Sequence, residues 1–374
     1  MRILRVSHRL NPPDPGGSAN HASILSAYQT HMGHRVVVLT SKEGPYPEHE
    51  WRDGYEVYRF PAWRPLTEYP ITLTMIGKLI ECTDSDFDII HALNHLFFPT
   101  NLSAVRRKIG RIPLTISTHG FRVQRGRLMN FAQDMYLSSV GRWTLKAADY
   151  VTSFTERERQ QIVRLGISEA RTCVMPNGVD SGFFHPKHTT RIPGSVLWAG
   201  RFVPEKCVDQ LIQAAALVIK KRTDACFKLV GYGPELRNLE KLATTLGVNK
   251  NVEFTGPATK RELLELYNTS SVFVLPSLSE GFPNTVLEAM ACGTPVIVTS
   301  GIGLEEVVAT AGLYVPPREP VQLSDMILKI LDNEEIAHEL GHRARQRAEI
   351  YDWRGIVEQT NALYERIISS READ

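Results

Sequence analysis

Cysteine is scarce in this 374-residue sequence, and no two cysteines share a short spacing. Cys82, Cys173, Cys207, Cys226 and Cys292 form no CxxC pair and no cysteine–histidine metal pattern, which excludes a structural zinc module and a dithiol redox motif. An odd, dispersed set fits a reducing compartment, so a cytoplasmic location is expected. Long hydrophobic runs are missing too. No stretch approaches the roughly 18 uninterrupted apolar residues that a spanning helix needs. The run Met1–His8 is too short for an export signal and reads as a first buried strand. Neither sign of charge dominates: 43 Lys/Arg stand against 41 Asp/Glu, a formal net of +2. That balance identifies no partner, and nucleic acid is not expected. Split by halves, residues 1–190 hold 23 Lys/Arg against 17 Asp/Glu, and the remainder 20 against 24. The first half is therefore mildly basic, a feature of an anionic membrane surface or a charged acceptor and equally of scattered surface charge.

What is present is an ordinary globular composition, 43% apolar and 22% charged, in a chain long enough for two hydrophobic cores. Strand-like apolar runs alternate with helix-length amphipathic stretches, the pattern of parallel sheets flanked by helices. Strands are expected at residues 2–6, 35–39, 88–91, 114–118 and 150–153, and again at 196–199, 227–230, 252–255, 272–275, 296–299 and 313–315. A helix is expected from Ser18 to Met32, ended by Gly33. The segment His185–Gly194 is polar and carries two prolines, as a linker does. The expected organisation is a Rossmann-like domain over residues 1–185, a second over 195–350, and a C-terminal helix over 351–374 crossing back to the first. The two domains are expected to be doubly wound and to face each other across a cleft, with ligand at the carboxyl ends of the strands.

The most informative stretch is Leu275–Gly293, LPSLSEGFPNTVLEAMACG. A strand ends at Leu275, a loop carries Glu280-Gly281-Phe282-Pro283, and a helix starts near Asn284. Asn284 is expected to cap that helix, leaving the amides of Thr285 and Val286 to form an anion site suited to a diphosphate. Glu288, one turn in, is placed for vicinal hydroxyls such as those of a ribose, and Glu280 for whatever hangs from the phosphate.

Glu280, seven intervening residues, Glu288 and their surroundings resemble the retaining glycosyltransferases of family four, which have the GT-B fold. The likeness extends along the chain. Gly16-Gly17 resembles the family's N-terminal glycine loop, His31–Val36 its RGHEV segment and Cys173–Asp180 its IPNGVD turn. Gly200–Lys206 resembles its GRL…EKG motif, and Leu229–Pro234 its VGDGP. The resemblance implies transfer of a sugar from a nucleoside-diphosphate donor, UDP- or GDP-linked, to a carbohydrate or lipid-linked acceptor, with retention and without metal or cofactor. Arg201 and Lys206 would pair with the diphosphate, and Glu288 with the ribose. Glu280 with the backbone of Gly281, Phe282, Pro283, Asn284 and Thr285 would hold the sugar and phosphate. Gly231, Tyr232, Thr255 and Gly256 would meet the base. His119, after a buried strand, would contact the transferred sugar, and Gly16 and Gly17 would let their loop approach phosphates and acceptor. Catalytic weight would fall on His119, Glu280, Arg201 and Lys206.

Cys207 departs from the family pattern by replacing the glycine after the Glu-Lys pair, and Tyr232 takes a position often acidic or small. Three other readings compete. A GT-B sugar-nucleotide epimerase would need acid/base carboxylates that this set does not match. A nicotinamide oxidoreductase fails on its glycine fingerprint, since Leu236 stands where the third glycine belongs. A non-catalytic nucleotide-sugar-binding protein would tolerate loss of Glu280 or Lys206. Finally, Arg122–Phe131 continues into an amphipathic run reaching Leu145, a basic and partly aromatic stretch suited to peripheral membrane association or to a soluble acceptor.

Overall fold

A computed structural model describes residues 1–10, 17–63, 71–120 and 127–372. Gly16, Arg122 and Arg125 lie outside the described residues. The chain divides into two compact units, Met1–Asn177 with Arg354–Asp374, and Gly178–Trp353.

The sheet of the first unit runs, edge to edge, His49–Arg52, Tyr55–Phe60, Arg35–Ser41, Arg2–Val6, Ile89–Leu93, Leu114–Ser117, Tyr150–Ser153, Thr172–Val174. All pairings are parallel except that of the edge strand His49–Arg52. Val36, Val37 and Val38 are buried on alternating faces, as a parallel strand covered on both sides requires. Helices Met75–Glu81 and Phe98–Ile109 put Met75, Leu79 and Ala104 on one face of this sheet. Ala22 of Gly17–His31 and Leu363, Tyr364 and Ile367 of Trp353–Glu372 cover the other.

The sheet of the second unit is wholly parallel. Its order is Val252–Gly256, Cys226–Tyr232, Ser195–Arg201, Val272–Leu275, Val296–Thr299, Gly312–Val315. The strand that comes first in sequence, Ser195–Arg201, therefore lies inside, between the second strand and the fourth. Strand order reverses there, and the loops leaving its carboxyl end diverge to opposite sides, which opens a crevice for a ligand. The segment His185–Gly194 is fastened to this unit. The Lys187 amide donates to Asn268 Oδ1 at 2.6 Å, and Arg191 donates to the carbonyls of Ser270 and Gly293 at 2.6 and 2.8 Å.

The expected strands are all present, with ends shifted by up to two residues. The first helix is Gly17–His31, and Gly33 follows it at φ +86 with the His34 amide bonded to the Gln29 carbonyl at 3.0 Å. Three strands were not expected. His49–Arg52 and Tyr55–Phe60 form a hairpin through Asp53-Gly54, both at positive φ, the backbone a two-residue hairpin turn demands. The third, Thr172–Val174, is three residues long. The amphipathic run expected to reach Leu145 is not one regular helix. It is Arg127–Tyr136, a π-helical turn Leu137–Gly141, and Arg142–Ala147.

Candidate functional site

At the carboxyl end of the inner strand of the second unit, Arg201 is exposed. The chain then buries Phe202, whose amide donates to the Tyr232 carbonyl at 2.8 Å. A single 3-10 turn follows, Pro204–Lys206. It ends at Cys207, which sits at φ +48, ψ +41. This is the left-handed conformation that glycine enters freely and an L side chain enters at roughly 1–2 kcal/mol. The departure at Cys207 thus leaves the turn intact, with the thiol buried and its Sγ 3.5 Å from the Pro204 carbonyl.

That turn aims Lys206 at Glu280. Its Nζ donates to both carboxylate oxygens, at 2.6 and 2.7 Å. The two side chains are 22% and 7% exposed, and the Leu278 amide ties the two loops together by donating to the Glu205 carbonyl at 2.8 Å. The sequence assigned the two residues to different parts of one ligand; the structure pairs them with each other.

The helix after this loop is Asn284–Ala291, and its N-cap is Pro283, without a side-chain capping bond. The expectation of an Asn284 cap is therefore corrected: Asn284 is the first helical residue. The Val286 amide is also not open, since it donates to the Pro283 carbonyl at 3.1 Å, as does that of Leu287. Thr285 remains the first-turn amide without an intrahelical acceptor. Gly281 is exposed, Pro283 is buried, and Phe282 packs against the apolar core with its ring 6.3 Å from that of Tyr351. Glu288 accepts a hydrogen bond from the Tyr267 hydroxyl at 2.9 Å. Burial pushes its carboxyl up to about 7, against the opposing pull of Tyr267 and Lys260.

The neighbouring strand ends complete the crevice. Tyr232 lies across from Arg201, and Gly256 across from Val230. Gly231 adopts φ +144, and a Cβ there would lie 1.8 Å from the Gly200 carbonyl oxygen; at Gly233 (φ +157) one would lie 2.3 Å from that of Phe202. Only glycine allows so close a backbone approach. Tyr232, between them, is 40% exposed, and Thr255 is exposed beside Gly256 at φ +73.

In the first unit His119 follows the strand Leu114–Ser117. Its ring meets Phe154 edge-on at 4.6 Å and His21 at 4.9 Å, and both ring nitrogens are buried without a hydrogen-bond partner. Burial holds it well below 6.5, with His21, His8 and His95 adding to the effect, so the imidazole is neutral at pH 7. His21 Nδ1 lies 2.9 Å from Asn177 Oδ1, and burial pushes its ring down to about 4. Gly17 begins the helix that carries His21. Sequence reasoning missed His21, Phe154 and Glu158. The only available signal was position: His21 lies one turn past the glycine pair, and Glu158 three residues after the capping Thr155.

Two family models tile the chain. One for glycosyltransferase family 4 matches residues 15–183, and one for glycosyl transferases group 1 matches residues 189–347. The chain belongs to the group 1 glycosyltransferases. It is 27% identical to an uncharacterized glycosyltransferase of Methanocaldococcus jannaschii, covering 97% of this chain and 98% of that one. Among solved structures, sucrose-phosphate synthase from Thermosynechococcus elongatus superposes at TM-score 0.83 and 24% identity, over 99% of this chain and 100% of that one. Anabaena Alr3699/HepE in complex with UDP superposes at 0.78 and 19% identity, over 98% and 100%. The fold of this glycosyltransferase is GT-B.

The raised carboxyl of Glu288 makes a stability prediction for this glycosyltransferase. The folded chain holds that proton more tightly than the unfolded chain, whose value is near 4.5. Stability is unaffected below that pH and falls as pH rises from 4.5 towards 7. Glu288→Gln keeps an acceptor for Tyr267 and removes the charge. It is expected to stabilise the unliganded protein by roughly 1–3 kcal/mol at pH 8, a gain that vanishes near pH 4.5. Chemical denaturation at both pH values checks this; a variant no more stable than wild type at pH 8 contradicts it.

Proposed function

We propose that this glycosyltransferase moves a hexosyl group from a UDP- or GDP-linked sugar to an acceptor hydroxyl, with retention at the anomeric carbon and without a metal ion. The observation that carries this reading is the Lys206–Glu280 pair beside Arg201, at the reversal point of the second sheet. When the glycosidic bond breaks, negative charge grows on the β-phosphate. Arg201 and Lys206 stabilise that charge with fixed cations, whose value rises where water is excluded. Thr285 adds a helix-start amide.

Glu288 accepts from the ribose hydroxyls. Glu280, with the backbone from Gly281 to Thr285, holds sugar and phosphate, and Tyr232 with Gly231, Thr255 and Gly256 covers the base. A neutral His119 can donate or accept a hydrogen bond to a sugar hydroxyl, and Gly16 and Gly17 serve phosphates and acceptor. No carboxylate is assigned as a nucleophile. The acceptor hydroxyl attacks from the face the diphosphate leaves, and the departing phosphate oxygen takes its proton, so positioning and charge stabilisation carry catalysis. That HepE has been crystallised with UDP favours UDP as the first base to test. The epimerase reading is disfavoured because the Arg201, Lys206, Glu280 and Glu288 set does not match the acid/base carboxylates an epimerase needs.

A lipid-linked acceptor is the more specific reading of the basic, aromatic stretch. Phe131, Met135, Val140 and Trp143 are 63, 58, 47 and 44% exposed, alongside Arg142 and Lys146. Tyr136 and Leu137, in the same run, instead pack with the core. Among the described residues no helix is long and apolar enough to cross a membrane, so an exposed face of this kind fits lying on a surface.

Two outcomes are expected. Lys206→Ala should lower turnover by two or more orders of magnitude, about 3 kcal/mol of transition-state stabilisation, and weaken nucleoside-diphosphate binding; parent-like turnover overturns the diphosphate assignment. The protein should sediment with anionic phospholipid vesicles at low salt and much less so as a folded Phe131→Ser/Trp143→Ser variant. If the parent stays in the supernatant, a soluble acceptor is left.

A further inference from the structure

Glu158 is an acidic side chain only 5% exposed, in the first turn of the helix Glu156–Arg164. Thr155 caps that helix by accepting from the Glu158 amide at 3.2 Å, which fixes where the side chain leaves the backbone. The carboxyl group then reaches two different loops. Oε1 accepts from the Gly120 amide at 3.1 Å and Oε2 from the Phe154 amide at 3.0 Å. The Thr118 hydroxyl donates elsewhere, to the Thr152 carbonyl at 3.2 Å. Gly120 immediately follows His119 and takes φ +90, a conformation open to glycine. Phe154 follows the next strand, Tyr150–Ser153, and its ring is the one that meets His119 edge-on.

We propose that Glu158 is a positioning residue for His119: one carboxyl group clamps both the backbone beside the imidazole and the ring packed against it. The proposal rests on the reading of His119 as the group that contacts the transferred sugar. His119 has no hydrogen bond of its own to orient it. Its ring direction is therefore set by packing against Phe154 and His21 and by the backbone on either side, from Thr118 to Gly120. Glu158 holds two of these controls directly, the backbone amides of Gly120 and Phe154. Burial pushes the carboxyl up to about 7, and the two amide bonds offset part of that penalty. A carboxylate suits two converging N–H donors because both its oxygens accept. Glutamine has the same shape but one accepting oxygen, and its NH2 would face an amide N–H, opening one arm of the clamp.

The experiment compares wild type, Glu158→Gln, His119→Ala and the double variant. It reads kcat and donor KM, UDP binding, thermal midpoint, and the imidazole NMR signals of His119 in 15N-histidine-labelled protein. Glu158→Gln is expected to lower kcat by on the order of ten- to a hundredfold, leave UDP affinity as in wild type, and displace or broaden the His119 signals. On top of His119→Ala it should lower kcat by no more than about threefold, because residues acting through one another are not additive. Unchanged His119 signals, or a full kcat loss repeated in the His119→Ala background, overturns the proposal. If Glu158→Gln does not fold, Glu158→Asp, which is one methylene too short to span both amides, carries the same test. His119→Ala with wild-type turnover would instead refute the sugar-contacting role of His119, while the NMR signals still decide whether Glu158 holds the ring.

Discussion

Everything proposed for the second unit depends on one ion pair, Lys206 Nζ on the Glu280 carboxylate. The two residues are 74 positions apart in the chain. They meet because the inner strand Ser195–Arg201 lies directly beside Val272–Leu275 in the sheet, so the loops leaving the two strands emerge as neighbours. Both groups are largely withdrawn from water, where an ion pair roughly balances its own desolvation but a single unpaired charge does not. Each therefore holds the other in place. The cation is pre-positioned on a short turn and the anion on a loop tied back through Leu278. A site for a charged leaving group needs this kind of order before the substrate arrives, because side chains that must reorganise during reaction stabilise less.

The first unit uses different physics. Two strand ends and the first helix present neutral imidazoles: burial pushes His8 to about 3 and His21 to about 4, and keeps His119 well below 6.5. Neutral rings packed against Phe97 and Phe154 offer hydrogen bonds without charge, which suits sugar hydroxyls. In the proposed reaction, charge stabilisation would fall to the six-stranded sheet and hydroxyl recognition to the eight-stranded one.

Much of the fold was legible in the sequence. Runs such as Val36-Val37-Val38 and Val296-Ile297-Val298 can be buried only on both faces of a parallel sheet. Gly33 marks a left-handed helix end, and the glycines at 231 and 233 mark backbone approaches that a Cβ would block. The hairpin His49–Phe60 was missed because its edge strand is polar, although Asp53-Gly54 signalled the turn. Asn284 looked like a cap by residue type, but Pro283 already occupies that position, and local propensity cannot choose between adjacent candidates. The Lys206–Glu280 contact and the Glu158 clamp were invisible for one reason. Each joins loops that only strand order makes adjacent, and Glu158 reads in sequence as an ordinary first-turn acid on a polar helix.

The central claim, a metal-free nucleoside-diphosphate-sugar site on the second unit, is tested most directly by isothermal titration. UDP, UDP-glucose, GDP and GDP-mannose would be titrated into the wild-type protein in excess EDTA. The account predicts that one nucleotide class binds at one molecule per chain, with undiminished affinity when EDTA is replaced by Mg²⁺. Binding by none of them, or only after Mg²⁺ is supplied, would contradict it.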